Sequence, residues 1–422
     1  MREIGLKKTE LDSKVRVLTE RVPGVRSVSL GIWVNNGSRD ESKRQYGLSH
    51  FLEHMLFKGT SRIRARGIAE AFDNMGADIN AFTGREGTAV HTQALDEFIP
   101  RAMEILGDMI QHPLLDSDDL DSERQVVLEE INMHADSPDE MVHDFLDDVL
   151  WGDHPIGHSV LGDVDVIKEV GPASMSDFHR ERYVGSRIVV AVVGAVDHQM
   201  ICELVLGHMD GLDRGEPMVR DKSVSVSSAG RKITWKETEQ AHIAIGSRGL
   251  SRRHPDRFTL AVMDSIIGGS MSSRLFQRIR EERGLAYSIY SYSGLFLGMG
   301  MVGIYCGTQP EQAQDVIRLI EDELVKVRDN GFTGEELERA GKHIRGSLTI
   351  SMEYSASRMN RMGRIELADG EHLTVDQTIE RIKAVTLDDL HRVFQETWGA
   401  AGASLAVVGP FADDELSMSG RI

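Results

Sequence analysis

The sequence AVVG at residues 191–194 occurs again at residues 406–409, 215 positions later. A second pair of matching segments lies just upstream, because DFHR at 177–180 corresponds to DLHR at 389–392, 212 positions later. Each copy therefore has a short segment typical of a helix, followed by an apolar strand that ends in Val-Val-Gly. A duplicated domain explains two such pairs at nearly the same offset better than chance does.

A third pair has nearly the same offset and marks the start of a helix in each half. Residues 117–120 and 333–337 both begin with a hydroxyl residue that can cap a helix, and both continue with acidic residues. A polar stretch with Gly, Pro and Ser at 211–228 separates the copies and is typical of a linker. We therefore predict one domain over 1–210 and a homologous domain over 229–422.

The pattern of apolar residues predicts the same order of elements in both halves. Segments 26–34 and 240–246 alternate like half-buried strands, and 47–57 and 260–267 have helical periodicity. Segment 77–95 is typical of two strands joined by a glycine-containing turn. These features predict an α+β fold of two homologous α/β-roll domains, each a mainly antiparallel sheet with helices packed on one face.

Composition excludes several classes of protein. The chain has 422 residues, with 67 acidic against 48 basic side chains and a formal charge of −19, which opposes binding to nucleic acid. The surplus of negative charge is explained either by solubility or by an acidic chamber that attracts basic peptides.

Two cysteines, Cys202 and Cys306, lie in apolar runs and do not form a disulfide framework. With no apparent secretory signal or membrane span, we expect a cytoplasmic protein.

A metal-binding motif lies in the helical segment of the first half. His50 and His54 are four residues apart, so on a helix both imidazoles can reach one metal ion. Glu53 lies on the same face, where a carboxylate can take a proton from water at the metal. This His-x-x-Glu-His order is the inverse of His-Glu-x-x-His. The alternative is a solvated helical face with two histidines and an acid.

A second helical pattern, at 122–133, is the candidate source of a third ligand, which a zinc site with an open position requires. Val126, Val127 and Ile131 predict one apolar stripe, with the glutamates pointing elsewhere. Glu123 and Glu130 are seven residues apart and so share a helical face. Glu130 can be a ligand while Glu123 supports a histidine.

The second half provides an internal comparison for the motif. At an offset of 210 residues, His50, Glu53 and His54 correspond to Leu260, Met263 and Asp264, none of which repeats the histidines or the base. The second domain is therefore predicted to keep the fold without the metal chemistry.

Four segments resemble the pitrilysin and mitochondrial-processing-peptidase family, and the similarity covers essentially the whole chain. They are HFLEHMLFKGT at 50–60, NAFTGREGTAV at 80–90, ERQVVLEEI at 123–131 and SSRLFQRIREERGLAYSIYS at 272–291. The resemblance implies an inverzincin zinc peptidase that binds one Zn²⁺ per chain. The length is similar to that of the shorter, processing-peptidase-like branch, which works as a dimer.

The family pattern also implies roles for individual residues. Glu130 matches the third zinc ligand, and Glu123 matches the supporting acid. Asn80 and Ala81 match an edge strand that pairs with an extended substrate by β-augmentation. Arg280 and Tyr287 match a pair that binds substrate near the scissile bond. The alternatives are an ordinary hairpin, a solvated arginine and a packed tyrosine.

These features together predict a zinc metalloendopeptidase that cleaves unfolded peptides or extended protein segments in a dimeric chamber. Longer members of the family are about twice this length, so the resemblance implies that a second copy of the chain completes the chamber. The predicted partners are peptide substrates and a second copy, with no nucleic acid and no membrane. The alternatives are a non-catalytic scaffold or assembly subunit of the same fold, and another metal-dependent hydrolase.

Overall fold

The computed structural model describes residues 5–220, 229–368, 370–399 and 402–422. Residues 221–228 of the predicted linker lie outside the described residues. The described strands are β1 (Lys7–Glu10), β2 (Arg16–Arg21), β3 (Ser27–Val34), β4 (Asp78–Thr83), β5 (Thr88–Leu95), β6 (Ile188–Gly194), β7 (Arg231–Trp235), β8 (Ala241–Gly249), β9 (Ala286–Phe296), β10 (Met299–Thr308) and β11 (Ser404–Gly409).

The described α-helices are α1 (Leu48–Leu56), α2 (Ala65–Asn74), α3 (Ile99–Gln111), α4 (Ser117–Ala135), α5 (Pro138–Trp151), α6 (Val164–Glu169), α7 (Pro172–Arg182), α8 (His198–His208), α9 (Arg257–Ile267), α10 (Ala313–Asn330), α11 (Gly334–Ser351), α12 (Ser355–Leu367), α13 (Val375–Lys383) and α14 (Leu387–Phe394). Among these helices, none combines the length and the apolar character that crossing a lipid bilayer requires.

Apart from the additional edge strand β1 of the first sheet, the two sheets have equivalent strand orders, which confirms the predicted duplication of the fold. The first sheet has the strand order β1-β2-β6-β3-β5-β4, and the second has β7-β11-β8-β10-β9. In each sheet one pair is parallel, β2 with β6 and β7 with β11, and the other neighbours are antiparallel. The repeated Ala-Val-Val-Gly segments occupy β6 and β11, which are equivalent strands of the two sheets.

The first compact unit comprises the described residues of Met1–Ile131, His158–Arg220 and Ile350–Thr374. Every residue of β6 is buried, as expected for a continuous apolar strand that is covered on both faces. On one face, sheet residues such as Ile32 pack against helical residues such as Phe51.

The opposite face of the first sheet is covered by α12, which comes from the second half of the sequence. Met359 and Met362 of this helix pack with Trp33 and Val189 of the sheet. Glycine is required at 363, because a Cβ atom there would lie 2.3 Å from the Trp33 ring. The sequence did not predict this exchange of a helix between the halves.

The second compact unit comprises the described residues of Asn132–Gly157, Asp221–Thr349 and Val375–Ile422. Its main core packs α9, α10 and α14 on one face of the sheet. Helix α5, from the first half of the sequence, covers the other face through Val142 and Leu146. The predicted α+β class is therefore confirmed. The division of the chain into a domain at 1–210, a linker at 211–228 and a homologous domain at 229–422 stays a prediction.

Candidate metal centre

Helix α1 places the two histidines of the motif beside one another in the first unit. The Nε2 atoms of His50 and His54 are 3.2 Å apart, and both side chains are largely buried. Because the residues are one helical turn apart, the two imidazoles point into the same space, as their spacing predicted.

A buried carboxylate fixes the start of this helix. Glu41 accepts hydrogen bonds from the backbone N–H groups of Gly47 and Ser49, at 2.8 and 2.6 Å. Gly47 has φ 95°, a left-handed conformation that favours glycine. Burial raises the pKa of Glu41 to about 7, although its hydrogen bonds with Ser49 and Gly47 lower it. The carboxylate thereby binds N–H groups that the first turn leaves without helical partners.

Glu130 of α4 completes a triangle with the two imidazoles. Its Oε2 atom lies 3.5 Å from Nε2 of His50 and 3.4 Å from Nε2 of His54. Ligand atoms about 2.0–2.1 Å from a tetrahedral zinc ion are separated from one another by about 3.3 Å. The three distances and the two-histidine, one-carboxylate donor set therefore fit one face of a zinc coordination sphere.

The orientation of His54 is set by Glu123, which also lies on α4. The Nδ1–H group of His54 donates a hydrogen bond to Oε1 of Glu123 at 2.8 Å, so the lone pair of Nε2 faces the candidate centre. Lys58 forms an ion pair with the other oxygen of Glu123. Burial raises the pKa of Glu123, but the hydrogen bonds from His54 and Lys58 outweigh it and lower the pKa. This carboxylate–histidine pair is the usual support of a histidine ligand.

Charge at the centre favours a cation. Burial lowers the pKa of His50 to about 4, with a smaller contribution from His54, so His50 is neutral at pH 7 and can be a ligand. Burial acts against the imidazolium form of His54, yet its hydrogen bond with Glu123 and the charges of Glu130, Glu123 and Glu53 raise its pKa. The carboxylates that favour a protonated His54 also favour a metal ion.

Glu53 lies on α1 and does not belong to the triangle of candidate ligands. Its Oε2 atom accepts a hydrogen bond from the hydroxyl of Thr83 at 2.5 Å. Burial raises the pKa of Glu53, and the bond from Thr83 partly opposes this. A half-buried carboxylate with a raised pKa beside a metal site is suited to accept and return a proton.

Asn80 and Ala81 lie on β4, which is the edge strand of the first sheet. They pair with His91 and Val90 of β5, and in the described part of the sheet no strand pairs with the other side of β4. The Asn80 side chain accepts a hydrogen bond from the N–H of Ala81 at 2.8 Å. An edge of this kind can pair with an extended peptide.

Arg280 and Tyr287 lie in the second unit, where the structure brings them together. The guanidinium carbon of Arg280 is 5.2 Å from the ring centroid of Tyr287 and 4.7 Å from that of Phe276. Tyr287 is the second residue of the edge strand β9 and is 81% exposed, so its hydroxyl is accessible. The arrangement fits a cation–π pair that can contact a ligand.

A second cluster with possible ligand atoms lies in the second unit but has a different arrangement. His254, Asp256 and Glu396 come together, with His254 3.8 Å from each carboxylate. Arg392 already forms two hydrogen bonds with Asp256, at 2.5 and 3.0 Å. The N–H of Asp256 also donates to Nδ1 of His254 at 3.2 Å, so this cluster is explained by hydrogen bonding.

Sequence reasoning missed Thr83 and Lys58, which contact Glu53 and Glu123, and also Glu41, which binds the first turn of α1. Thr83 and Lys58 fall within the segments quoted for the family resemblance, but their spacing to Glu53 and Glu123 carries no periodic signal. The predicted apolar stripe of α4 is partly wrong, because Val127 and Ile131 pack in the first core but Val126 does not. The buried residues of α4 in the first unit include Glu123 and Val127, whereas Val126 is 44% exposed.

The fold and the cluster define a two-unit α+β protein with a candidate zinc centre in its first unit. Two family models match the chain: "Insulinase (Peptidase family M16)" over residues 16–164 and "Peptidase M16 inactive domain" over residues 170–342. The boundary between the matches agrees with the loss of the motif in the second half.

Curated relatives match along nearly the whole chain. An uncharacterized zinc protease of Streptomyces coelicolor is 38% identical over 419 residues, covering 98% of this chain and 91% of the relative. An uncharacterized zinc protease of Bacillus subtilis is 37% identical over 413 residues, covering 96% and 98%. The chain therefore belongs to peptidase family M16, the pitrilysin-like zinc proteases, as its motifs predicted.

Solved structures support the same fold. A peptidase M16 inactive domain from Pseudomonas fluorescens superposes with a TM-score of 0.92 at 19% identity, covering 98% of this chain and all of that one. A protease from Helicobacter pylori gives a TM-score of 0.91 at 20% identity, covering 97% of this chain and all of that one.

Proposed function

We propose that this protein is a zinc-dependent endopeptidase whose metal is held by His50, His54 and Glu130. The observation that carries the proposal is the triangle of donor atoms, with sides of 3.2 to 3.5 Å. Two of these atoms belong to α1, the helix that also carries the carboxylate of Glu53, which is not one of the candidate ligands. When bound, zinc would supply a Lewis acid that polarises the scissile carbonyl and acidifies water.

The residues of this chain would supply the proton transfers. Glu53 accepts a proton as water adds to the carbonyl carbon, and it then returns that proton to the leaving amine as the C–N bond breaks. Glu123 keeps Nδ1 of His54 protonated, so that Nε2 retains the lone pair a metal needs.

We propose extended or unfolded polypeptide segments as substrates. A substrate strand would pair with the β4 edge at Asn80 and Ala81. The main-chain hydrogen bonds formed there require an extended backbone and depend little on the side chains of the substrate. Arg280 would hold a substrate carbonyl, and Tyr287 would donate a hydrogen bond to the developing oxyanion.

Substitutions at the centre separate metal binding from proton transfer. Glu53→Gln should abolish peptide hydrolysis and keep zinc, whereas His50→Ala and Glu130→Gln should lose both. Glu129→Gln is the matched control, because Glu129 is the exposed neighbour of Glu130 on α4. Hydrolysis of a casein-derived peptide, with and without chelator, and zinc content by emission spectroscopy are measured. Full activity of Glu53→Gln, or of the chelated protein, would refute the proposal, and absence of hydrolysis by the zinc-loaded wild type would favour a scaffold.

We further propose that the working form is a homodimer in which Arg280 and Tyr287 act on substrate at the partner's centre. Mixing Glu53→Gln protein with Tyr287→Phe protein tests this, because each is expected to be nearly inactive alone. A mixed dimer with sites shared between chains regains one complete site, so activity should recover. No recovery after confirmed subunit exchange would refute the shared arrangement and leave each chain self-contained.

A further inference from the structure

The edge strand β4 has two faces with different neighbours. Ile79 and Ala81 pack against the core on the face that carries α1, whereas Phe82 lies on the other face against Trp33, with ring centroids 5.3 Å apart. Side chains alternate along a strand, so Thr83, the last residue of β4, faces α1.

The hydroxyl groups around Thr83 have a definite donor order. Thr88 pairs with Thr83 across the hairpin and donates its own proton to the carbonyl oxygen of Asn36 at 3.1 Å. The Thr83 hydroxyl lies 3.3 Å from that of Thr88 but only 2.5 Å from Oε2 of Glu53. A hydroxyl has one proton to donate, and the carboxylate can only accept, so the Thr83 proton is directed to Glu53.

We infer that Thr83 is the positioning residue of Glu53, and that it links the edge strand which takes the substrate to the group that moves the proton. The inference rests on the proposed peptidase function. With Oε2 engaged by Thr83, Oε1 is the oxygen left to accept the proton. A hydrogen bond from a neutral donor to a carboxylate is directional, so it fixes the rotation of the carboxylate on a half-buried side chain.

The location on β4 gives the contact a second consequence. Asn80, Ala81 and Thr83 belong to one six-residue strand, so a peptide that adds to the edge also orders the residue that holds the base. Hydrogen bonds between the edge strand and the substrate backbone would then raise kcat as well as lower KM.

The test compares Thr83→Val, Thr83→Ser and a matched control, Thr92→Val, in the full-length zinc-loaded protein. Valine keeps the β-branched shape of threonine but cannot donate, and serine keeps the donor. Thr92 is buried on β5 opposite Ile79, and no described residue is a hydrogen-bond partner of its hydroxyl. The variants are compared by kcat and KM on one extended peptide, by zinc content and by thermal unfolding.

Thr83→Val should lower kcat about 10- to 100-fold, the usual effect of removing a hydrogen bond to a charged group, with KM and zinc content unchanged. Thr83→Ser and Thr92→Val should keep kcat within about threefold of the wild type. In the Glu53→Gln background, Thr83→Val should cause no further loss, because the two residues act as a unit.

Three outcomes would overturn the inference, and they are distinguishable. An active wild type with an unchanged kcat in Thr83→Val, or equal losses in Thr83→Val and Thr83→Ser, would refute the positioning role alone. Absence of chelator-sensitive hydrolysis in both the wild type and Thr92→Val would refute the proposed function, and this role with it.

Discussion

Replacement of Glu366 by glutamine should destabilise the first unit by about 3 kcal/mol at pH 7. Glu366 lies on α12, the helix that comes from the second half of the sequence, and its side chain is 3% exposed. Its carboxylate accepts hydrogen bonds from Lys8 at 2.7 Å, Arg16 at 3.1 Å and His372 at 2.8 Å. These contacts fasten α12 to strands β1 and β2.

The size of the effect follows from the pKa of this carboxyl group. Burial alone would raise the pKa of Glu366, but the hydrogen bonds from His372 and Lys8 and the charge of Arg16 outweigh it and lower the pKa from 4.5 to about 2. Each tenfold change in a protonation equilibrium is worth about 1.4 kcal/mol, so the difference amounts to about 3 kcal/mol. Because the folded pKa is the lower one, this stabilisation is fully present above about pH 5 and is lost as the pH falls towards 2.

Urea-dependent hydrogen exchange of α12 and β2, followed by mass spectrometry, measures the opening of this unit. The difference between wild type and Glu366→Gln should be about 3 kcal/mol at pH 7 and about 1 kcal/mol at pH 3. Glu338→Gln is the control, because the Glu338–Lys342 pair on α11 is exposed and should contribute nothing measurable. The reasoning fails if the Glu366→Gln difference is absent, or is the same at both pH values.

Three further predictions concern the candidate centre and its substrates. Glu123→Ala should weaken zinc binding about 10- to 100-fold in competition with a chromophoric chelator, while Glu129→Ala should not; equal affinities would exclude a supporting role for Glu123. Zinc at about a hundredfold excess over Kd should stabilise the wild type by about 2.7 kcal/mol in thermal unfolding, and an equal gain in Glu130→Gln would show that the ion binds elsewhere. Arg-rich peptides should have a higher kcat/KM than matched Glu-rich peptides at low salt, and equal values at low and high salt would leave the net charge as a solubility feature.

The elements around the centre could be predicted because their signals are local. Helix α1 is defined by periodicity, and the spacing of His50 and His54 fixes their common face. The register of α4 distinguishes Glu130 from its neighbour Glu129, because only Glu130 lies two turns from Glu123. In the structure Glu130 meets both imidazoles, and Glu129 is exposed.

The remaining contacts depend on long-range packing, which leaves no period in the sequence. The apolar residues of α12 predict a buried face but do not say which sheet covers it, so the exchange of α12 and α5 could not be predicted. The α4 stripe was partly wrong for a related reason. Glu123 has a charged side chain, yet it is only 6% exposed, because it forms a hydrogen bond with His54 and an ion pair with Lys58. Pattern rules that place charges outside fail where a partner makes burial favourable.

The difference between the two units follows from how the equivalent helices are packed. On α9 the positions that correspond to His50 and Glu53 hold Leu260 and Met263, each 1% exposed in the core of the second unit. The third position holds Asp264, whose pKa burial raises to about 6 against the effect of a hydrogen bond with Ser291. These three positions offer a metal ion one carboxyl group that burial disfavours in its charged form, and no imidazole. On α1 the same positions border a polar space that Glu123, Glu130 and Thr83 complete from other elements. The duplicated fold therefore supplies the helix in both units, and the polar partners around α1 place the triangle of two imidazoles and a carboxylate in the first unit.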